Sequence, residues 1–529
     1  MTKRQAPLWS RQRNGFLFFV CLWGCKNPAD TPPPTDSGEP LQCEPLQVDL
    51  VQQFDKESLL KLFSGQADDL PEHQGPSLAM GDLNGDGFWD ALLSVRSAGT
   101  IAFLNDGTGQ FSVLNDIEVD GKAGFPEANS VALADMDADG DLDLAMATQD
   151  GLPNLLLINK GNGTHWESIV LEDSLGESLT PTWADLNGDG RLDLVIPGFG
   201  HKFPDPVGRL HSLYFQDMNG DLQLDRSALP QSARKGMVFI AQPLDVDLDG
   251  DLDLYYASEL PFDSQLLLND GSGIFTDHSE DCFCTRTATM GVAIGDTNLD
   301  GLPDLFVTRW QENNYFVNDN NGGFYDAAEA LSLTPAHSSS EIGWGVRFTD
   351  FNLDGLPDLA GTFGGPTHDP RDHPKIQYAQ NDALWIADNQ GGFTDKSATA
   401  EWTTTAKGRG LFVADMNRDG QPDLVLATNI GLEIWLTKGG CGESLSLTLN
   451  GGSGDPHGEG ARIRIEQADG TVHYEWMQSA VSFGNAAPEL YLGNPKTNEI
   501  VGLEVQWADG QVQSIPIPKE SSFFSFQRE

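Results

Sequence analysis

Basic residues are scarce in this sequence. Its 529 residues include 31 Lys and Arg against 79 Asp and Glu, which gives a formal net charge of −48 at pH 7. A surface this acidic repels phosphate groups, so nucleic-acid binding is excluded. The same surplus of carboxylates favours divalent cations or basic partners. The 58 Gly and 30 Pro suit short strands joined by tight turns, and therefore indicate an all-β fold.

Long apolar runs are absent after the first 25 residues, so no later segment is predicted to span a bilayer. The N-terminus itself has four basic residues, then the apolar run 16–23, which is typical of a secretory signal. The sequence Leu-Trp-Gly-Cys at 22–25 resembles the bacterial lipobox. We predict a lipoprotein-type signal peptide over 1–24, a lipid on Cys25 and a Pro-rich tether over 25–42. The alternative is an ordinary cleaved signal with an incidental cysteine.

Cysteine is also sparse. Four cysteines follow the signal region, namely Cys43, Cys282, Cys284 and Cys441. An exported protein can form disulfides, and four cysteines allow three pairings. A bridge between Cys43 and Cys441 could clamp the two ends of the region between them. The spacing of Cys282 and Cys284 does not match a redox CxxC pair, and a structural or a free-thiol role fits it equally.

A nine-residue pattern, D-x-[DN]-x-D-G-x-x-D, occurs seven times at intervals of 50 to 65 residues. The copies begin at Asp82, Asp135, Asp185, Asp245, Asp296, Asp350 and Asp415. Each copy lies between two short apolar runs, which read as buried strands, so the pattern is predicted to form the turn of a β-hairpin. A second hairpin turn, such as 105–111, follows most copies, and four strands per period are one propeller blade.

The seventh copy lacks this second turn. Residues 48–54, upstream of the first copy, could supply the missing outer strand and thereby cover two free sheet edges. We therefore predict a seven-bladed β-propeller over residues 43–440. An open β-solenoid, which needs no strand from the N-terminus, is the alternative.

The pattern places oxygen atoms where a calcium ion needs them. Ca²⁺ takes six to eight oxygen ligands, and the loop offers side chains at positions 1, 3, 5 and 9 and a backbone carbonyl at position 7. Glycine at position 6 permits the positive φ of a loop that turns around an ion. We predict up to seven Ca²⁺ ions, bound by Asp82, Asn84, Asp86, Phe88 and Asp90; Asp135, Asp137, Asp139, Asp141 and Asp143; Asp185, Asn187, Asp189, Arg191 and Asp193; Asp245, Asp247, Asp249, Asp251 and Asp253; Asp296, Asn298, Asp300, Leu302 and Asp304; Asp350, Asn352, Asp354, Leu356 and Asp358; and Asp415, Asn417, Asp419, Gln421 and Asp423.

Two other interpretations of the loops are weaker. An EF-hand needs a Glu at position 12 and flanking helices, and these loops have neither. Asp, Asn and Gly also favour plain turns, but seven copies in one register argue against that explanation. An eighth candidate, 217–225, has Leu222 in place of the glycine and is predicted to be only a turn.

With strands on either side, the seven loops resemble the FG-GAP/VCBS repeats of integrin-α-like propellers. Residues from about 443 onward resemble the ASPIC/UnbV module, through 460–465 (GARIRI), 490–493 (LYLG) and 503–510 (LEVQWADG). Together the two parts resemble the cartilage acidic protein 1 (ASPIC/UnbV) family. The resemblance implies calcium binding and extracellular interaction, with no established catalytic residues. Alternating apolar residues over 441–529 predict a small β-sandwich domain that packs beside the ring.

No HExxH, Walker A or nucleophile-elbow motif is present, so we predict a protein that is not an enzyme. Two insertions, with His201 in the third repeat and His368 and His373 in the sixth, could form a ligand loop together with Trp310 at the face opposite the Asp loops. The predicted function is non-catalytic binding of an extracellular protein or glycan. We predict a monomer that is secreted or anchored in the cell envelope and that contacts the membrane only through its lipid. A carbohydrate-active or other hydrolytic enzyme built on the propeller is the alternative.

Overall fold

Strands dominate the structure, as the sequence predicts. The computed structural model describes residues 43–528 except 63–75, 97, 150, 173, 201–207, 281, 283–287, 311–312, 321–322, 334–341, 366–379, 389–391, 403–407, 429–430, 453–456, 487 and 519–522. The described helices are Lys56–Leu62 and the two 3₁₀ turns Arg226–Ala228 and Gln231–Ala233. No helix among the described residues is long and apolar enough to cross a membrane.

Each copy of the Asp pattern joins the first two strands of one antiparallel sheet. The first sheet has Ser77–Gly81, Asp90–Val95, Gly99–Asn105 and Phe111–Val113. The second has Ser130–Ala134, Asp143–Ala147, Leu155–Asn159 and His165–Val170, extended by Glu118–Val119 and Lys122–Ala123. The third has Thr182–Ala184, Asp193–Ile196, Ser212–Gln216 and Leu222–Leu224, with the separate pair Arg209–Leu210 and Lys235–Gly236 nearby in the chain.

The remaining repeats follow the same order. The fourth sheet has Val238–Leu244, Asp253–Ser258, Gln265–Leu268 and Thr276–Asp277. The fifth has Thr289–Gly295, Asp304–Arg309, Asn314–Asn318 and Phe324–Asp326. The sixth has Gly343–Thr349, Asp358–Phe363, Ala383–Ala387 and Phe393–Asp395. The seventh has Gly408–Ala414, Asp423–Thr428 and Gly431–Gly440.

The seventh sheet is completed by the N-terminal strand Glu44–Phe54, which pairs antiparallel with Gly431–Gly440. Val48 lies opposite Thr437 and Gln53 opposite Glu433. A disulfide joins Cys43 to Cys441 across 398 residues, next to this pairing. The predicted outer strand is therefore confirmed, and of the pairings that the sequence left open the structure shows the one that clamps the two ends of the repeat region. Cys282 is also disulfide-bonded, whereas Cys284 lies outside the described residues.

Hydrogen bonds connect each sheet to the next. The links are Ser77 to Ser130, Asn129 to Ser178, Val238 to Gly198, Ser264 to Thr289, Thr308 to Trp344 and Thr362 to Arg409. The seventh sheet meets the first through the Asn105 amide, which donates to the Met416 carbonyl at 2.9 Å. The first strand of every sheet is wholly buried, because it packs against its neighbours on both faces.

The C-terminal module, residues 441–529, contains two sheets around one core. Glu443–Asn450, Leu490–Asn494 and Phe523–Gln527 form the first, and Val472–Trp476, Arg462–Gln467, Ile500–Gln506 and Val512–Ser514 form the second. Leu447, Ile463 and Trp507 are buried in the core that they share.

The position of this module differs from the sequence prediction. The sequence predicts that it packs beside the ring, but its hairpin Ala480–Val481 and Gly484–Asn485 joins the first sheet, where Gly484 lies parallel to Leu78. We call residues 478–486 the central hairpin. No periodicity in the sequence indicates such an insertion, since the hairpin is short and its partner strand lies about 400 residues away.

The disulfide provides a first test of this architecture. Replacing Cys43 and Cys441 with Ser should lower the free energy of unfolding by about 2–5 kcal/mol, because the unfolded chain would lose its longest loop constraint. Denaturant unfolding of the double variant under non-reducing conditions measures this loss. Cys282→Ser is the control for general loss of a disulfide, and an equal effect from that control would contradict a special role for the terminal clamp.

Candidate metal sites

The first residue of each loop holds the loop closed. In the second repeat, the Asp135 carboxylate accepts hydrogen bonds from the backbone N–H groups of Asp139 and Gly140, both at 3.1 Å. The same two contacts, to positions 5 and 6, recur at Asp82, Asp185, Asp245, Asp296, Asp350 and Asp415. The seven loops therefore share one local geometry.

The backbone conformation is also shared. Every glycine at position 6 has positive φ, between 80° and 97°, as the pattern predicts. Position 4 has positive φ as well, although four of its seven occupants are Leu or Arg and one is Ala. The sequence alone does not predict positive φ at position 4, because only two of the seven loops have a glycine there, Gly85 and Gly188. Positive φ is a strained conformation for Ala, Leu and Arg. Because it recurs in five loops with these residues, we infer that the fold imposes this loop shape.

The cost of positive φ at positions 4 and 6 can be tested in the second repeat. Gly140→Ala should lower the free energy of unfolding by about 1–2 kcal/mol, because Ala is strained at φ +97° although the site has open space. Ala138→Gly should change stability by less than about 0.5 kcal/mol, since the relief of strain at φ +59° is offset by a more flexible unfolded chain. Urea unfolding of both variants measures these free energies. If the two variants lose the same stability, backbone strain at Gly140 is not the cause of the loss.

The carboxylate at position 9 has a second role that sequence reasoning missed. Asp90 accepts the N–H of Leu83 with one oxygen at 3.0 Å and the N–H of Asn105 with the other at 2.9 Å. This carboxylate thus ties the loop to the third strand of its sheet. Equivalent pairs of contacts are made by Asp143, Asp193, Asp253, Asp358 and Asp423. Asp304 differs, because its second oxygen accepts from the Tyr315 hydroxyl at 2.7 Å.

Among the described residues, carboxylate oxygens converge closely in two of these loops, the second and the fourth. Asp135, Asp137 and Asp143 each offer an oxygen atom, and these atoms all lie within 4.8 Å of one another. Asp245, Asp247 and Asp253 form the same arrangement. Three hard oxygen donors in a tight loop fit the ligand requirement of Ca²⁺, which would neutralise their mutual repulsion. The residues that would hold the ion are therefore the predicted ones at positions 1, 3 and 9, with further oxygens available at positions 5 and 7.

Burial makes these carboxylates hard to ionise without a cation. Loss of hydration raises the pKa of Asp90, Asp143, Asp245, Asp296 and Asp304 to about 7. The same cause raises the pKa of Asp193 and Asp253 to about 8. Neighbouring carboxylates add to the shift, and backbone N–H donors oppose it. A bound divalent cation would reverse this penalty and keep the carboxylates charged at neutral pH.

Other predicted positions have mixed outcomes. Cys25, His201, His368 and His373 lie outside the described residues, so the predicted lipid site and most of the predicted ligand loop stay predictions. Trp310 is partly buried; it forms a β-bridge with Ile342 and packs against an apolar cluster that includes Phe239 and Phe483. The eighth candidate forms a turn closed by a hydrogen bond from Asp217 N–H to the Asp221 carbonyl, as expected.

Comparison with known families agrees with the repeat structure. The FG-GAP-like repeat family matches residues 82–146, 135–196, 245–307 and 296–361, and each match starts at the first Asp of a loop. The ASPIC and UnbV family matches residues 451–524. The chain contains FG-GAP-like repeats and an ASPIC/UnbV domain. The loop at Asp415 lies outside the FG-GAP matches, yet it has the same hydrogen bonds as the other six.

Curated relatives of this FG-GAP protein are cartilage acidic protein 1 of Mus musculus, 25% identical over 267 residues, and of Homo sapiens, 23% identical over 270 residues. The mouse match covers 45% of this chain and 40% of the relative; the human match covers 45% and 39%. The chain thus spans about two fifths of the curated relatives it matches.

Similar solved structures include an Agrocybe aegerita lectin specific for non-reducing terminal N-acetylglucosamine (TM-score 0.39, 17% identity, 73% of this chain and 88% of that chain). YCF48 from Cyanidioschyzon merolae is another (TM-score 0.38, 12% identity, 69% and 97%). Both TM-scores lie below 0.5, so the ligand of the lectin says nothing about the ligand of this chain.

Proposed function

We propose that this chain is an exported, calcium-stabilised, seven-bladed β-propeller that binds a protein or glycan ligand without catalysis. The observation that carries the proposal is the common geometry of the seven loops, with carboxylates converging within 4.8 Å in the second and fourth loops, which have Asp at position 3. Such an arrangement is costly unless a cation occupies it. The ring is supported by hydrogen bonds between successive sheets and between the seventh and the first.

The central hairpin fills part of the centre of the ring, and this bears on where a ligand could bind. The central hairpin lies against the first strand of the first sheet, and Asn485 contacts the backbone of Leu133 in the second sheet. Since the hairpin occupies the centre next to the first strands, we propose that the ligand binds at the end of the ring away from the Asp loops, where Trp310 lies. The secretory signal and Cys25 would place this surface at the cell envelope, with the lipid as the only membrane attachment and with no need for a second copy of the chain.

Two measurements test the proposal. Elemental analysis of the purified protein after dialysis against micromolar calcium should find several ions per chain, and the absence of calcium would refute it. A glycan array and a cell-surface binding assay, each run with calcium and with EGTA, should show binding that requires calcium. If a bound glycan is instead cleaved, and His368→Ala with His373→Ala abolishes cleavage, the protein is an enzyme and the non-catalytic role is wrong.

A further inference from the structure

The seven Asp loops differ in how far the rest of the chain covers them. The glycine at position 6 is exposed in the first three repeats, half-buried in the fourth and buried in the last three, at Gly87, Gly140, Gly190, Gly250, Gly301, Gly355 and Gly420 in that order. Because all seven loops have the same internal geometry, the difference must come from what packs on them.

The cover is the C-terminal module. Arg462 stacks on Tyr474, with the guanidinium carbon 3.7 Å from the ring centroid, and donates to the carbonyl of Gly301 in the fifth loop. The N–H of Cys441 donates to the carbonyl of Asn352 in the sixth loop at 2.7 Å. In both cases the acceptor is a backbone carbonyl, so the contact depends on the loop conformation rather than on a particular side chain.

The seventh and fourth loops are contacted as well, and so is the first, at position 8, although its Gly87 is exposed. The N–H of Asp415 donates to the Tyr491 hydroxyl at 2.6 Å, and the indole of Trp89, at position 8 of the first loop, donates to Glu489 at 2.6 Å. At the fourth loop, Gly250 lies beside the turn 509–510, and a Cβ atom on it would be in ordinary van der Waals contact with the Gly510 Cα at 3.7 Å. Among the described residues, the loops of the second and third repeats form no hydrogen bond with the module.

The same module inserts the central hairpin between the sheets. Asn485 accepts from the Leu133 N–H at 2.9 Å and donates to its carbonyl, and Gln478 makes the same pair of contacts with Ile294. Ser482 donates to the carbonyl of Met290. The hairpin thus bonds to the first strands of the second and fifth sheets while it pairs with that of the first sheet. A module held at five loops and anchored at its centre in this way can leave only if both sets of contacts break.

We propose that calcium in the loops of repeats one, four, five, six and seven holds the C-terminal module on the ring and keeps the central hairpin inserted. Calcium in the loops of repeats two and three stabilises its own sheets and reaches the module only through the contact of Asn485 with Leu133 in the second sheet. Without the ion, the loop carboxylates repel one another, the loop backbone rearranges, and the carbonyls that the module contacts move. The proposal rests on the calcium binding proposed above and adds a division of labour among the sites.

Two matched variants separate the two groups of loops. Asp249→Asn with Asp300→Asn alters the fourth and fifth loops, which contact the module, and Asp139→Asn with Asp189→Asn alters the second and third loops. All four carboxylates stand at position 5 and are exposed, and Asn keeps their shape. Bound calcium is counted for each full-length variant, and hydrogen–deuterium exchange is followed by mass spectrometry in residues 478–486 and in strands 130–134 and 143–147.

Both variants should lose about two calcium ions relative to the unaltered chain. Exchange in 478–486 should rise at least tenfold in D249N/D300N. It should rise much less in D139N/D189N, where only the Asn485–Leu133 contact is weakened, and that variant should mainly exchange faster in 130–134 and 143–147. Unchanged exchange in 478–486 despite the loss of two ions in D249N/D300N would overturn the inference, as would an equal rise in both variants. If the unaltered chain binds no calcium, the proposed function fails as well.

A calcium titration of the unaltered chain keeps the test valid if D249N/D300N does not fold. As free calcium is lowered with EGTA buffers, exchange in 478–486 should rise together with exchange in the fourth and fifth loops. A rise that instead coincides with global unfolding of all seven sheets would contradict selective release of the module.

Discussion

Removal of calcium with EGTA at pH 8 should lower the melting temperature by at least about 15 °C. At a thousandfold excess over its dissociation constant, each ion would contribute about 4 kcal/mol, and the proposed function has up to seven ions on the folded chain. For a chain of this length, one kcal/mol corresponds to roughly 1 °C in melting temperature. Differential scanning calorimetry with calcium and with EGTA measures the shift.

The effect of calcium should depend on pH, with a definite sign. The buried loop carboxyls have folded pKa values of about 7–8, because burial raises them from the usual value of 3.8. In EGTA, their contribution to stability is fully present below pH 3.8 and is lost as the pH rises through 7–8, because the folded state then has to release protons that it retains. The melting temperature in EGTA should therefore be higher at pH 5 than at pH 8.

Calcium replaces these protons, so the stabilisation it provides should grow between pH 5 and pH 8. Magnesium at the same concentration is the control for ionic strength, because it demands a smaller and more regular set of ligands. A melting temperature that is the same in calcium and EGTA at pH 8 would contradict the assignment of the loops as calcium sites.

Gly484→Ala should destabilise the protein severely for a single substitution. Gly484 pairs with Leu78 at φ +149°, and a Cβ atom on it would lie 1.7 Å from the Leu78 carbonyl oxygen. Neither backbone can move freely, because Leu78 belongs to a buried strand. We expect the free energy of unfolding to fall by about 3 kcal/mol, the upper end of the range for overpacking, because the clash is with a backbone atom that cannot move aside.

The control is Gly470→Ala in the same module. Gly470 also has positive φ, +89°, but no atom lies within 4 Å of a Cβ placed there. This substitution should cost only about 1–2 kcal/mol, from backbone strain alone. Denaturant unfolding and the rate of tryptic release of the C-terminal module should both separate the two variants. Similar losses at Gly470 and Gly484 would mean that the central hairpin is not packed against the first sheet.

Local features of this protein were predictable from the sequence. The Asp pattern identified the hairpin turns, and the apolar runs beside it identified the buried strands. The missing turn in the seventh repeat identified the N-terminal strand as its partner, and the structure pairs Glu44–Phe54 with Gly431–Gly440. These predictions succeeded because turn chemistry and strand burial depend on neighbouring residues.

The candidate sites were only partly predictable. The ligand positions follow from spacing, but the sequence does not show that Asp90 and its equivalents also bind two backbone N–H groups. Nor does it show the positive φ of Leu248, Leu299 and Leu353 at position 4, since leucine rarely adopts it. The first feature arises where the third strand of a sheet meets the loop.

The sequence by itself determined the seven repeats, the candidate oxygen donors of their loops and the N-terminal strand that completes the seventh sheet; the pairing of Cys43 with Cys441 was one that it left open. Only the tertiary structure decided that the module at 441–529 covers some loops and leaves others exposed, and that the central hairpin enters the ring. These features rest on contacts between residues hundreds of positions apart, such as Asn485 with Leu133. A pattern within one stretch of chain carries no information about such pairs, because their energy depends on shapes that exist only once the sheets have assembled.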